Sequence, residues 1–96
     1  MATSRHLEPK FSCLIVEDDV AFAAMAAQVV RDEGGEPAVC HTLAAGREAS
    51  QTRSFQVVLL DNHLPDGKAY DFFDQFARRN PAAPILMITG EPDARE

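Results

Sequence analysis

The chain has no apolar run near the roughly 18 residues that a spanning helix needs. Its opening stretch, MATSRHLEPK, lacks the apolar core of a secretory signal. No membrane partner is therefore expected, and the expected location is the cytoplasm. Basic residues are few: nine Lys and Arg stand against 15 Asp and Glu, a formal charge of −6. Affinity for nucleic acid grows from clustered cations on phosphates, so direct contact with nucleic acid is not expected. The acidic balance suits a cation site or a basic protein partner. Cysteine is nearly absent. Cys13 and Cys40 form no CxxC and no zinc spacing, and both read as buried, reduced thiols. His6, His41 and His63 show no ligand spacing either. Repeats, low-complexity tracts and interdomain linkers are also missing.

What remains is one small domain of 96 residues, 46% apolar. FSCLIV, Phe11 to Val16, is a continuous apolar run and reads as a strand buried on both faces. A helix follows over VAFAAMAAQVVRDEGG, with Asp18 or Asp19 as its N-cap and an apolar stripe of Phe22, Met25, Val29 and Val30. EPAVCHT reads as a weaker strand at a sheet edge. Thr42 caps a second helix, LAAGREASQTR, whose thin apolar face is Leu43, Ala45 and Ala49. FQVVLL is the strongest strand signal. After a Leu-Pro-Asp-Gly turn, KAYDFFDQFARR places Tyr70, Phe73, Phe76 and Ala77 on one face of a third helix, with Phe72 to the side and Asn80-Pro81 as the stop. APILMITG is a fourth strand. The expected division is an extension over 1–10, a βαβαβαβ core over 11–90 and a polar tail over 91–96.

Alternating strands and helices predict an α/β fold with a parallel sheet and helices on both faces. Ligands then sit beyond the carboxyl ends of the strands. Glu17, Asp18 and Asp19 leave the first strand there, Asp61 leaves the third, and Thr89 leaves the fourth. In a 2-1-3-4 order the first and third strands are neighbours, so the acids converge. Crowded carboxylates repel unless a cation joins them, and Mg²⁺ suits one or two carboxylates with oxygen ligands for the rest. A carboxylate beside Mg²⁺ can also attack phosphorus, and a Thr89 hydroxyl can bond a phosphoryl oxygen. Taken singly, each residue has a plainer role: Asp19 as a cap, Asp66-Gly67 as a turn, Thr89 as a strand end.

The motifs LIVEDD, VVLLDNHLPDG and ILMITG, in that order, resemble the receiver domain of bacterial two-component response regulators. The resemblance implies a flavodoxin-like, doubly wound parallel sheet of order 2-1-3-4. It makes Asp61 the phosphoacceptor and Thr89 the switch hydroxyl, with Gly90 leaving room for the phosphate. It assigns Mg²⁺ to Glu17, Asp18, Asp61 and the backbone carbonyl of His63. The implied partner is a sensor histidine kinase or phosphotransfer protein, with an output domain, such as one regulating transcription, outside this chain.

The family pattern includes a fifth strand with a phosphate-contacting Lys and further helices, for which this sequence carries no counterpart. On that ground the ILMI edge and the sheet face beside the first helix are expected to lie open, exposing Leu14 or Ile15 and Val57 or Val58, and self-association is expected. An alternative reading is a receiver-like interaction domain that is not phosphorylated. A hydrolase using Asp61 covalently fits less well, because such enzymes place a second acid where His63 stands.

Overall fold

The computed structural model describes residues 9–69 and 73–88. The elements run β1 (Phe11–Val16), α1 (Val20–Asp32), β2 (Gly35–Cys40), α2 (Leu43–Thr52), β3 (Val57–Asp61), β4 (His63–Leu64), β5 (Gly67–Lys68), α3 (Phe73–Arg79) and β6 (Ile85–Ile88). Four strands form one parallel sheet in the order β2-β1-β3-β6. That is the expected 2-1-3-4 arrangement, with β6 as the fourth strand.

Side-chain alternation explains why β1 and β3 read as unbroken apolar runs. Leu14, Val16, Val58 and Leu60 join Leu43 and Phe76 in one core cluster. Cys13 and Ile15 join Ala27 and Val30 in a second. The first cluster lies under α2 and α3, the second under α1, so β1 is buried on both faces while β3 is buried on the first and half-buried on the second. Each such aliphatic side chain contributes about 1.5–3 kcal/mol of transfer free energy. At α2 the fit is close: a Cβ on Gly46 would stand 2.8 Å from Val16 Cγ2.

The helix caps follow from the sequence. Asp19 is the N-cap of α1, its Oδ1 accepting the Phe22 N–H at 3.0 Å, and Thr42 Oγ1 accepts the Ala45 N–H of α2 at 3.0 Å. The buried faces differ from expectation. On α1 they are Ala23, Ala27 and Val30, while Met25 and Val29 are exposed and Phe22 is half-buried. Alanine carries little polarity signal, so the larger apolar residues misplaced the stripe by about one helical step. On α2 the buried line is Leu43, Gly46 and Ser50, with Ala45 and Ala49 at its margin.

The third helix was expected from Lys68. Instead Gly67–Lys68 pairs with His63–Leu64 as a small antiparallel hairpin, in the register His63↔Lys68 and Leu64↔Gly67. Gly67 has φ 144°, a region that favours glycine. In α3 Phe76 is buried and Ala77 is half-buried, whereas Phe73 is largely exposed. Tyr70 and Phe72 lie outside the described residues. Asn80, expected only to stop the helix, is 2% exposed.

The expected opening of the face beside α1 is not found on β1 and is partial on β3. Leu14, Ile15 and Val58 are buried, because α1 covers one face and α2 with α3 the other. Val57 and Leu59 are half-buried. Apolar exposure sits on β6 instead, where Leu86 is 52% and Met87 39% accessible. Cys13 is buried and Cys40 half-buried, both as free thiols, and burial pushes the Cys13 thiol up to about 11. Among the described residues no helix is long and apolar enough to cross a membrane.

Candidate functional site

The parallel register places the acids. The last β1–β3 pair is Val16↔Leu60, so Glu17 and Asp61 are the next residues on adjacent strands. Asp18 follows in the turn to α1. One carboxylate oxygen from each of Glu17, Asp18 and Asp61 lies within 4.8 Å of the others. Glu17 and Asp61 are each only 7% exposed, while Asp18 is exposed.

Local hydrogen bonds aim these groups. Glu17 N–H donates to the Cys40 carbonyl at 2.9 Å, which carries the β1–β2 ladder one residue past the strand. Glu17 Oε2 accepts the Asp19 N–H at 3.0 Å. His41 Nδ1 lies 2.8 Å from the Glu17 carbonyl oxygen, a contact across 24 residues that no local pattern signals. Asp61 Oδ1 accepts the His63 N–H at 3.3 Å. Asp66, taken from the sequence as a turn residue, sends its carboxylate across to α2: Oδ1 accepts the Leu43 N–H at 2.8 Å and Oδ2 the Ala44 N–H at 3.0 Å. The distance of four and five residues from Asp61 to Pro65 and Asp66 carried no signal for that contact.

The electrostatics are those of a crowded anion site. Burial pushes the Glu17 carboxyl up to about 7, against the pull of the Asp19 N–H, and the neighbouring Asp61 and Asp18 charges add to the rise. Asp61 is likewise raised, first by burial, while the His63 N–H favours its ionised form. The neutral form of Glu17 is thereby favoured beside Asp61, and a positive charge would reverse that balance. Three hard oxygen donors whose mutual repulsion a positive charge relieves fit Mg²⁺. A buried orphan, Asn62 Oδ1, lies next to Asp61 in sequence.

Of the residues singled out by sequence, the fold brings together Glu17, Asp18 and Asp61, with the His63 backbone beside Asp61. Thr89 and Gly90 lie outside the described residues. They follow Ile88, which pairs with Asp61 in the β3–β6 register.

Comparison with known proteins agrees with this architecture. The photosynthetic apparatus regulatory protein RegA of Rhodovulum sulfidophilum is 32% identical over 79 residues, covering 82% of this chain and 43% of the relative. This chain therefore spans less than half the length of that relative. A CheY-like response regulator receiver domain protein from Methanospirillum hungatei JF-1 superposes with a TM-score of 0.79 at 28% identity, covering 83% of this chain and 64% of that one. The MaeR response regulator bound to beryllium trifluoride gives 0.76 at 28% identity, covering 88% and 70%. The family profile of the response regulator receiver domain matches residues 13–96. With sheet order, acid rim and sequence profile in agreement over nearly its whole length, the chain belongs to the response regulator receiver domains, the signalling modules of two-component systems.

Proposed function

We propose that this domain takes a phosphoryl group onto Asp61 from a sensor histidine kinase or a phosphotransfer protein. The observation that carries this reading is the placement of Asp61: it ends a central strand, one residue past the register pair that also delivers Glu17, within 4.8 Å of two further carboxylates. Glu17, Asp18, Asp61 and the His63 backbone carbonyl would hold Mg²⁺. When bound, that ion neutralises charge on the phosphoryl oxygens.

The chain's own contribution is orientation and exclusion of water. The His63 N–H holds one Asp61 oxygen, leaving the other to attack. An Asp61 oxygen forms the new O–P bond as the P–N bond to the donor imidazole breaks, and the electron pair stays on the imidazole nitrogen. The product is an aspartyl phosphate. Thr89 is proposed as the hydroxyl that meets a phosphoryl oxygen. The reaction alters the domain itself, so the domain is a signalling module rather than an enzyme turning over a separate substrate. It acts in the cytoplasm, ahead of an output such as transcription regulation.

Support comes from the similar MaeR response regulator, which is bound to beryllium trifluoride. Incubation with acetyl phosphate and Mg²⁺, read by intact mass, is expected to add one phosphoryl group to the native chain and none to Asp61→Asn. Unmodified native protein would overturn the reading.

The exposed Leu86 and Met87 on β6, the outer strand of the sheet among the described residues, favour a second reading, an interaction domain that self-associates without phosphorylation. Light scattering over a concentration series in the same samples separates the two. Association without any mass gain favours the second.

A further inference from the structure

Resting on the acid cluster as the metal site, we propose that Asp66 is a positioning residue. Its carboxylate latches the loop after β3 onto the amino end of α2 and so fixes where the His63 backbone stands relative to Asp61.

The loop from Asn62 to Ala69 is tied at its base and at its tip. Its hairpin is two residues long on each side. The Ala69 N–H donates to the Asn62 carbonyl at 3.1 Å, and Leu64 and Ala69 are buried in the core. Those contacts hold the base of the loop. Asp66 holds its tip, through two charge-assisted bonds to Leu43 and Ala44.

The amino end of α2 is divided between two groups. Thr42 supplies its own turn, with Oγ1 on the Ala45 N–H and its carbonyl on the Gly46 N–H at 3.0 Å. Asp66 takes the two donors that Thr42 leaves, Leu43 and Ala44. A carboxylate at a helix amino end is also favoured by the helix dipole. Those two amides hold the Asp66 carboxyl below its ordinary range, so the latch stays ionised at neutral pH.

The same connection reaches the other side of the site. Thr42 adjoins His41, whose Nδ1 meets the Glu17 carbonyl. Chain and hydrogen bonds thus run from the Asp61 side, through His63, Asp66 and Leu43, to His41 on the main chain of Glu17. In that run Asp66 supplies the link between the loop and α2.

Mg²⁺ titration of the full chain, followed by the amide shifts of Asp61 and His63, tests the latch. Outer partners of a metal site typically cost about 10- to 100-fold in affinity when lost, so Asp66→Ala is expected to weaken Mg²⁺ by about tenfold. Before any metal is added, it should also speed amide exchange at His63 and Leu64. Thr52→Ala removes a side-chain bond at the far end of the same helix, where Thr52 Oγ1 donates to the Ala49 carbonyl at 2.9 Å. It should leave Mg²⁺ affinity and His63 exchange unchanged. Asp66→Asn keeps an oxygen acceptor and should recover part of the affinity; it is the variant to titrate if Asp66→Ala folds poorly. Native affinity in both Asp66 variants, or equal weakening by Thr52→Ala, would overturn the latch alone. Failure of the native chain to bind Mg²⁺ at all would remove the metal site and the latch together.

Discussion

Polar groups are buried at both ends of β3, and their surroundings differ. At the amino end Asn80 reaches in from the end of α3. Its Oδ1 accepts the Phe55 N–H at 2.8 Å, and its Nδ2 donates to the Phe76 carbonyl at 3.0 Å and to Ser50 Oγ at 3.4 Å. At the carboxyl end Asp61 meets Glu17, a second carboxylate that cannot donate to it without a proton. Both ends are nearly closed to water, at 2% exposure for Asn80 and 7% for Asp61. The first set is complete within the chain and does a structural task, tying α3, α2 and the entry to β3 together. The second leaves like charges facing one another, and in the proposed function a cation relieves them. A buried polar group whose needs the protein does not meet marks the site that something else must fill.

The sharpest way to break this comparison is to remove the satisfied group. Asn80→Ala leaves the Phe55 N–H and the Phe76 carbonyl without that partner and opens a void, so it is expected to cost about 2–4 kcal/mol. A urea midpoint measures the loss, which is a large part of the about 5–15 kcal/mol available to such a domain. An unchanged midpoint would show that Asn80 is replaceable by water.

At the other end the sign should reverse. Glu17→Gln removes a buried like charge while an amide oxygen remains to accept the Asp19 N–H. Metal-free protein is expected to gain on the order of 1 kcal/mol, while the stabilisation by Mg²⁺ shrinks. Thermal unfolding with and without the metal checks both halves. A loss of stability without metal would mean that Glu17 is packed as a structural residue, as Asn80 is.

A smaller effect follows from the same group as pH changes. The Glu17 carboxyl is raised from 4.5 to about 7 in the fold, so over that interval the folded chain holds a proton that the unfolded chain has released. Its contribution is fully present below about pH 4.5 and is lost as pH rises through about 7. Asp66 works the other way in a separate window: its lowered carboxyl contributes above its ordinary range and is lost only as pH falls below it. Metal-free stability is therefore expected to decline gently between pH 5 and pH 7.5, by scanning calorimetry, and Mg²⁺ should flatten the decline. A rising slope would show that Glu17 is ionised throughout.

The legible parts of the molecule are those where a local pattern has one physical cause. The apolar runs FSCLIV and FQVVLL could only be interior strands, and their order fixed a parallel sheet whose ends gather Glu17 and Asp61. Capping chemistry is equally local: Thr42 read correctly, and the first helix was narrowed to Asp18 or Asp19, of which Asp19 is the cap. Contacts between segments distant in sequence left no such mark. Asp66 looked like any Asp before Gly in a turn, and its partner is 23 residues away. Asn80 looked like a helix stop, and its key bond spans 25. The hairpin over His63–Lys68 was hidden because helix-forming residues follow it directly, and the seat of α1 was hidden because alanines form it.

The pairing of β1 with β3 has a consequence for how folding can be watched. Strand side chains alternate between faces, so sliding β3 by one residue against β1 would move Asp61 by about 3.3 Å and turn its side chain to the opposite face. Glu17 and Asp61 would then no longer share a level, and the paired donors would be lost while much of the secondary structure persisted. Mg²⁺ uptake is in that sense a ruler laid across two strands. It distinguishes chains that have merely collapsed from chains whose central ladder is in step, and it does so at the one rim where misalignment cannot be absorbed by repacking.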